Sequence, residues 1–313
     1  MARKRLKKGV LEPRNETLES VIPAFLTSRE AQGVTEATIE SYRSHFKTLS
    51  NYLDLSIRFD DLSKEDIDAM VVSMRHKGLA HNTVANYCRV MRTFLTWCNA
   101  EGYTDVEGPK IKPKETIKET YTDEELEILL RRPPKDADFP EYRNWVMFNF
   151  LLNSGCRAGT ISAIQNRDVY LDKKQVLYRH TKSGRVQVVP LCNQMVRILK
   201  EYMSVRKGDP EDYLFCNQYG EYLCSRSVSQ AIRKYNKKRA IRVSSVHAIR
   251  HSFARKFLLD CGGDAFTLQK LLGHSTLAMT KHYCAIFDSD ITENYDKLSP
   301  LAQMNQKKEK IRR

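Results

Sequence analysis

The sequence predicts a mainly α-helical fold with a small antiparallel β-sheet, built from two helical regions and a linker between them. Three observations predict it. Apolar residues recur at helical spacing within residues 16–105, a segment rich in lysine and proline follows at 106–120, and the apolar period changes to two between Val169 and Leu191. With 313 residues, 41% of them hydrophobic and 29% charged, the chain is long enough for two globular domains with separate cores.

Both ends of the chain are strongly basic. Residues 1–15 form a predicted N-terminal arm, whose first fourteen residues carry six Lys or Arg against one Glu, a net +5. Residues 288–313 are predicted as a C-terminal helix and basic tail, with a net +4 over 301–313, so the ends supply most of the formal charge of +14. Basic tails bind nucleic acid without sequence preference, but tails that only aid solubility have the same composition.

Residues 16–105 are predicted as a helical domain. The stretch TEATIESYRSHFKTLSNYL places apolar residues on one helix face, namely Ile39, Tyr42, Phe46, Leu49 and Leu53. Ser63 and Asp66 predict the N-terminal cap of a further helix. The stretch NTVANYCRVMRTFLTWCNAEG predicts another helix, which Gly102 is suited to end. Such stripes are typical of a packed core.

The linker, residues 106–120, contains two prolines, a glycine and several lysines, with few apolar anchors. A second domain, residues 121–287, opens with a capping box from Thr122 to Glu125. A helix is predicted over residues 141–153, and Ser154 with Gly155 ends it. The alternating stretches VLYRH and RVQVVPL, joined by TKSG, predict a β-hairpin, and helices return from Asn193 onward.

Cysteine usage and hydropathy narrow the class of protein. The eight cysteines are scattered without a CxxC pair, which argues against a zinc site and predicts reduced thiols of a cytoplasmic protein. No stretch of about 18 uncharged apolar residues is present, so no membrane span and no membrane partner are predicted. The first residues, MARKRLKKGV, lack the apolar run of a secretory signal.

Four motifs in the second domain carry the chemistry: SGCRAGTISAIQNRDV, TKSGRVQVVPL, HAIRHSFARKFL and LLGHSTLAMTKHY. Taken singly, their polar residues have ordinary readings, such as a structural arginine, a solvated turn lysine, a surface His–Arg pair, a helix cap and a core tyrosine. Taken in order, the series resembles the phage integrase family of tyrosine recombinases, which includes the lambda-type integrases, Cre and the Xer proteins. The resemblance covers roughly residues 18–290 and is strongest over 150–190 and 244–284.

The resemblance implies a two-domain, C-shaped DNA clamp, with a SAM-like core-binding domain at 16–105 and a tyrosine-recombinase catalytic domain at 121–287. It also implies a set of six catalytic residues: Arg157, Lys182, His247, Arg250, His274 and Tyr283. The two arginines would hold the scissile phosphate and Lys182 would protonate the leaving 5′ oxygen. The two histidines would bind the non-bridging oxygens or help to move the tyrosine proton, and Tyr283 would be the nucleophile.

The implied chemistry explains these residue types. A tyrosine hydroxyl has a pKa near 10, so it must lose its proton during attack. Two planar guanidinium groups can offset the charge on the phosphate oxygens, and a positioned lysine can protonate the alkoxide. Neither a metal nor another cofactor is therefore expected. Exchange of one phosphodiester for another also conserves the bond energy, so recombination needs no ATP.

Two positions depart from the family pattern. The family usually has an acidic residue three positions after the first arginine, where this chain has Thr160. That carboxylate would support the active site, so its replacement bears on the turnover rate. A proline often precedes the HxxR histidine, where this chain has Val246.

The resemblance implies a double-stranded DNA core site, bound by a dimer, and a homotetramer on two synapsed sites, with an accessory DNA-bending protein as an optional partner. The departure of the motif residues from the usual family pattern favours a mobile-element integrase or a transposon recombinase. Such a protein is expected to be cytoplasmic and to associate with the nucleoid when it is bound to DNA. Residues 288–303 are expected to pack on a neighbouring protomer. Basic residues of the arm and linker are predicted DNA contacts: Arg3, Lys4, Arg5, Lys7, Lys8, Lys110, Lys112 and Lys114.

Two alternatives stay open from the sequence. A type IB topoisomerase would use the same arginine, lysine, histidine and tyrosine chemistry to relax DNA without exchanging partners. A non-catalytic DNA-binding regulator is the alternative from another class, and it gives no reason to keep Tyr283 and both arginines.

Overall fold

The computed structural model describes residues 15–114, 119–181, 184, 186–277 and 279–280. Contacts between residues divide the chain into two compact units, one within residues 1–116 and the other within residues 117–313. No helix in these described ranges is long and apolar enough to cross a membrane.

The described part of the first unit is built from helices, with one isolated antiparallel β-bridge between Thr17 and Arg58. Its helices are α1 (Leu18–Ala31), α2 (Glu36–Leu49), α3 (Lys64–His76) and α4 (His81–Ala100). The cap predicted at Ser63 and Asp66 is confirmed, because each side chain accepts a hydrogen bond from the backbone N–H of the other. The core centres on Phe25, which is fully buried and meets four other aromatic rings edge-on: Tyr42, Phe46, Phe94 and Trp97.

The chain that follows α4 packs back along that helix. Asn82 and Lys114 exchange two hydrogen bonds, of 3.0 and 2.8 Å, and the ring of His81 lies 2.9 Å from the carbonyl of Lys112. A Cβ atom on Gly108 would lie 2.3 Å from the Cα of Arg92, so only glycine permits this close approach. The first part of the predicted linker is therefore bound to α4.

The second unit combines helices with one small sheet. Its helices are α5 (Asp123–Leu130), α6 (Phe139–Ser154), α7 (Ala158–Ser162), α8 (Asn193–Arg206), α9 (Ser225–Lys237), α10 (Val246–Leu259) and α11 (Ala265–Leu272). The strands are β1 (Val169–Tyr170), β2 (Gln175–Tyr178) and β3 (Gln187–Pro190), antiparallel in the order β1-β2-β3. The capping box at Thr122 and Glu125 is present. The predicted fold class, mainly helical with a small antiparallel sheet, is confirmed.

Helix α6 lies at the centre of the second core. It contacts α5, α8, α9 and α10, and its middle part, residues 143–151, is buried on every side of the helix. The helix ends at Gly155, which has a φ of +60°, and a Cβ atom there would lie 2.4 Å from the ring of Phe253 on α10. Glycine therefore lets the chain turn sharply against α10. Cys156 and Arg157 follow directly after this turn.

Candidate active site

Arg157 follows the turn at Gly155 and occupies the N-cap position of α7. Its side chain lines a cavity of about 630 Å³. The described residues around this cavity include four basic side chains and no carboxylate: Arg157, Ala158, Gly159, Thr160, His180, Thr181, Ser225, Arg226, Ser229 and His247. The cavity therefore suits an anionic group such as a phosphate.

His247 and Arg250 are three residues apart on α10 but lie in different surroundings. His247 is exposed and lines the same cavity as Arg157, whereas Arg250 is only 4% exposed. Ser245 caps the helix by accepting a 3.0 Å hydrogen bond from the backbone N–H of Ala248. The alternative interpretation of His247 and Arg250 as a pair on the protein surface is therefore wrong for Arg250, which is buried.

Arg250 holds three parts of the second unit together. Its Nη1 donates a 2.8 Å hydrogen bond to the carbonyl of Gly155, at the end of α6. Its Nη2 donates a 3.0 Å bond to the carbonyl of Leu272, at the end of α11, and lies 2.7 Å from Nε2 of His274. These contacts fix the plane of the guanidinium group, because both of its terminal nitrogens are bonded and their acceptors lie at the ends of two different helices, α6 and α11.

His274 follows the left-handed cap residue Gly273 and is 9% exposed. Its Nε2 faces Arg250, and its Nδ1 lies 2.8 Å from Oγ1 of Thr280. Burial, the largest cause, and the positive charges of Arg250 and Arg157 together lower the pKa of His274 to about 4. The imidazole is therefore neutral at physiological pH.

The structure thus brings four of the six predicted catalytic residues into one region. Arg157 and His247 share a cavity, Arg250 touches His274, and the charge of Arg157 acts on His274. Lys182 and Tyr283 lie outside the described residues. The sheet that leads to Lys182 is nevertheless fixed to α11, because the side chain of Gln187 on β3 donates to the carbonyls of Lys270 and Leu271 at 2.7 and 2.9 Å.

The predicted DNA contacts are divided between described and undescribed segments. Lys110, Lys112 and Lys114 are exposed side chains of the first unit, and Lys110 forms a 2.7 Å ion pair with Glu107. The arm residues Arg3, Lys4, Arg5, Lys7 and Lys8 lie outside the described residues, as do residues 288–303.

The two departures from the family pattern occupy ordinary positions. Thr160 is buried in α7, where its backbone N–H donates to the carbonyl of Arg157 at 2.9 Å, and it also lines the basic cavity. A neutral hydroxyl group therefore stands beside Arg157, where the family usually has a carboxylate. Val246 is buried at the start of α10 and belongs to the core of the second unit.

Three residues near the predicted set were missed by sequence reasoning. Arg226 and Ser229 line the cavity from α9, and Thr280 contacts His274. The i, i+3 spacing of Arg226 and Ser229 on an amphipathic helix was an available signal for an exposed polar face. Nothing in the sequence distinguishes Thr280 from the neighbouring hydroxyl residues Ser275 and Thr276, since its partner is set by the fold.

The described cysteines show the free thiols that the sequence predicts, and none of the seven forms a disulfide. Burial raises the pKa of Cys156, which directly precedes Arg157, so this thiol stays protonated and packs as an apolar residue. Within the described residues, no group of three or more His, Cys, Asp or Glu side chains is placed to hold a metal ion.

Two family models match the chain. Residues 119–289 match the phage integrase family, and residues 19–114 match the phage integrase SAM-like domain. Among curated proteins, the tyrosine recombinase XerC of Neisseria meningitidis is 29% identical over 293 residues, covering 90% of this chain and 95% of that protein. The tyrosine recombinase XerA of Pyrococcus furiosus is 27% identical over 301 residues, covering 93% and 98% respectively.

Solved structures show the same fold. A lambda integrase dimer bound to a core site matches with a TM-score of 0.72 and 17% identity, over 86% of this chain and 95% of that one. The Tn1549 transposon integrase in complex with transposon right-end DNA matches with a TM-score of 0.72 and 18% identity, over 86% and 94%. A lambda integrase tetramer bound to a Holliday junction matches with a TM-score of 0.71 and 17% identity, over 86% and 78%.

Proposed function

The chain belongs to the phage integrase family, and from this premise we propose that it is a site-specific recombinase that cleaves and rejoins double-stranded DNA through a covalent bond between Tyr283 and a DNA phosphate. The observation that carries the proposal is the basic cavity, which Arg157 and His247 both line and which has no carboxylate among its described lining residues. Arg250 and His274 also support the proposal. They are hydrogen-bonded to each other, and Arg250 donates to the carbonyl of Gly155, two residues before Arg157.

The arginines bind the scissile phosphate in this proposal. Of the five N–H groups of Arg250, three donate to Gly155, Leu272 and His274, which leaves two without an acceptor among the described residues. Those two can donate to phosphate oxygens while the other three hold the group in place. Arg157 lies on the cavity wall and supplies the second guanidinium. Their combined charge offsets the charge that gathers on the phosphate oxygens during attack.

The two histidines have different roles in this proposal. Both ring nitrogens of His274 are engaged by Arg250 and Thr280, and its lowered pKa makes it a poor proton acceptor. His247 is exposed on the cavity wall, so we assign to it the role of the base that accepts the proton of the Tyr283 hydroxyl. Attack by the phenolate oxygen on phosphorus forms the 3′-phosphotyrosine and expels the 5′ oxygen, and Lys182 supplies the proton that the leaving oxygen takes up.

The exchange step is the reverse of the cleavage step. A 5′ hydroxyl from a second duplex attacks the phosphotyrosine, restores the phosphodiester bond and releases Tyr283. Because one bond replaces another of the same kind, the reaction conserves its energy and passes through a Holliday junction. Lambda integrase is seen as a dimer on a core site and as a tetramer on a Holliday junction, and the proposed assembly is the same: a dimer per site and a tetramer on two synapsed sites.

The basic segments outside the catalytic domain contribute affinity for DNA in this proposal. The arm residues at positions 3–8 and the exposed lysines at 110, 112 and 114 neutralise phosphates without reading sequence. An accessory DNA-bending protein is an optional partner. The similarity to a transposon integrase favours a role in a mobile element. The proposed location is the cytoplasm, with the protein associated with the nucleoid when it is bound to DNA.

The test is to trap the covalent intermediate. The full chain is incubated with a library of nicked duplexes of random sequence, and protein–DNA adducts are isolated and their DNA ends sequenced. We expect 3′-linked adducts at one preferred sequence, unchanged by excess EDTA, and no adduct with Tyr283→Phe. Tyr219→Phe is the matched control, because Tyr219 is 76% exposed and lies outside the cavity.

The same experiment separates the alternatives. Adducts that lead only to relaxation of supercoiled plasmid, without junctions between paired copies of the recovered site, would indicate a topoisomerase. Sequence-specific binding without any adduct would indicate a regulator. A normal adduct yield from Tyr283→Phe would show that another residue is the nucleophile.

A further inference from the structure

Thr280 is buried beside His274 and belongs to none of the roles assigned above. Its side chain is fully inaccessible to solvent, and its Oγ1 lies 2.8 Å from Nδ1 of His274. It precedes Tyr283 by only three residues, so this hydrogen bond links the histidine to the stretch of chain that carries the nucleophile.

The contacts of His274 select one tautomer of its ring. A guanidinium nitrogen can only donate, so Nε2 of His274 must be the unprotonated nitrogen that accepts from Arg250. The proton of the neutral ring then resides on Nδ1, which donates to the hydroxyl oxygen of Thr280. The lowered pKa of His274 agrees with a ring that carries a single proton.

We propose that Thr280 is a positioning residue, which holds His274 in the Nδ1–H tautomer and thereby keeps the guanidinium of Arg250 aligned for the phosphate. The tautomer assignment stands on the geometry alone. Its effect on DNA cleavage rests on the function proposed above. Thr280 acts through His274 and does not touch the reacting atoms in this scheme.

Loss of the Thr280 hydroxyl has a defined consequence. In Thr280→Val the Nδ1–H group loses the hydroxyl oxygen that accepts its hydrogen bond, which weakens the preference for a proton on Nδ1 and favours its transfer to Nε2. An Nε2–H group would then face an N–H group of Arg250, and two donors cannot bond to each other. The ring or the guanidinium must move, and Arg250 would keep only its bonds to Gly155 and Leu272 among those it makes to the described residues.

The experiment uses two substitutions at Thr280 and one control. Thr280→Val keeps the shape and removes the hydroxyl, whereas Thr280→Ser keeps the hydroxyl. Thr276→Val makes the same chemical change at an exposed threonine four residues earlier. Full-length protein labelled with ring-¹⁵N histidine is studied by NMR at pH 7, where protonated and unprotonated ring nitrogens are well separated. The signals of His274 are identified by their loss in His274→Gln.

We expect wild type, Thr280→Ser and Thr276→Val to show one His274 tautomer, with Nδ1 protonated and Nε2 unprotonated. Thr280→Val should show a mixture or the opposite tautomer. Its rate of adduct formation on the trapped site should fall roughly tenfold to a hundredfold, because a guanidinium that is no longer aligned binds the phosphate in a less productive position. Thr280→Ser should restore the rate, which a merely structural role of the side-chain volume would not predict.

The outcomes distinguish this proposal from the proposed function. A wild-type His274 that is cationic, or that carries its proton on Nε2, overturns the proposal even if no variant folds. A Thr280→Val protein with the wild-type tautomer and the wild-type rate overturns it as well. If wild type forms no adduct on any sequence, the recombinase function fails, while the tautomer measurement still decides whether Thr280 positions His274.

Discussion

Arg250 and His274 form one hydrogen-bonded unit, with 2.7 Å between Nη2 of the guanidinium and Nε2 of the imidazole. The two residues come from different parts of the chain, α10 and the turn after α11, and both are buried. Because the arginine is always charged and can only donate, it requires a neutral histidine next to it. The pair therefore fixes both the direction of the arginine and the protonation state of the histidine.

Arg250→Lys should lower the cleavage rate by about 10²–10³, because one ammonium group cannot reach the separate acceptors of the planar guanidinium and also bind the phosphate. The carbonyls of Gly155 and Leu272 would lose their donors, so the free energy of unfolding should fall by about 1–3 kcal/mol. Rates of adduct formation and denaturant unfolding measure the two effects. Arg242→Lys, at an exposed position, is the control and should change neither. A variant at position 250 with the wild-type cleavage rate would remove Arg250 from the catalytic set.

The lowered pKa of His274 predicts a pH dependence of stability. The unfolded chain takes up a proton near pH 6.5, whereas the folded protein does so only near pH 4, so between these values the unfolded state binds more protons. The contribution of this group to stability is therefore complete above about pH 6.5 and is lost as the pH falls toward 4. We expect urea unfolding to show a loss of roughly 1–3 kcal/mol over this range that is absent in His274→Gln. Equal losses in both proteins would contradict a neutral His274.

Lys182→Ala should slow cleavage of ordinary DNA strongly, because the leaving 5′ oxygen would lack its proton donor. A substrate with a bridging 5′-thiolate leaving group needs no proton, so it should largely restore the rate of the variant. Lys173→Ala, at an exposed lysine in the turn between β1 and β2, is the matched control. Equal defects on both substrates would assign Lys182 to phosphate binding instead.

Deletion from Asp288 onward should spare binding to a single site but abolish synapsis, because residues 288–303 are predicted to pack on a neighbouring protomer. The second unit exposes two apolar side chains that such a segment could cover, Val186 and Phe266, which border a cavity of about 290 Å³ that His274 also lines. Mobility-shift assays on one site and on paired sites measure the two steps. A truncated protein that still assembles and recombines at the normal rate would show that the segment acts within its own protomer.

The parts of the fold that depend on local chemistry could be predicted from the sequence. The capping boxes at Ser63 and Thr122 and the change to a period of two before the sheet are visible in the sequence and are present in the structure. The family motifs also named Arg157, His247, Arg250 and His274, which the structure places in one region. Helix α6 was predicted as a helix, but its burial on every side could not be, since that depends on the elements around it.

The sequence by itself determined the fold class and the helix caps, because these follow from short-range spacing and from side-chain chemistry. Its motifs named the candidate catalytic residues through their resemblance to the phage integrase family. Only the tertiary structure decided that Arg250 is buried while His247, one helical turn away, faces the cavity. It also decided that Thr280, rather than Ser275 or Thr276, meets the ring of His274. The physical reason is that burial and hydrogen-bond partners are set by chain segments far apart in sequence, here the ends of α6 and α11, which meet only when the core around α10 has packed.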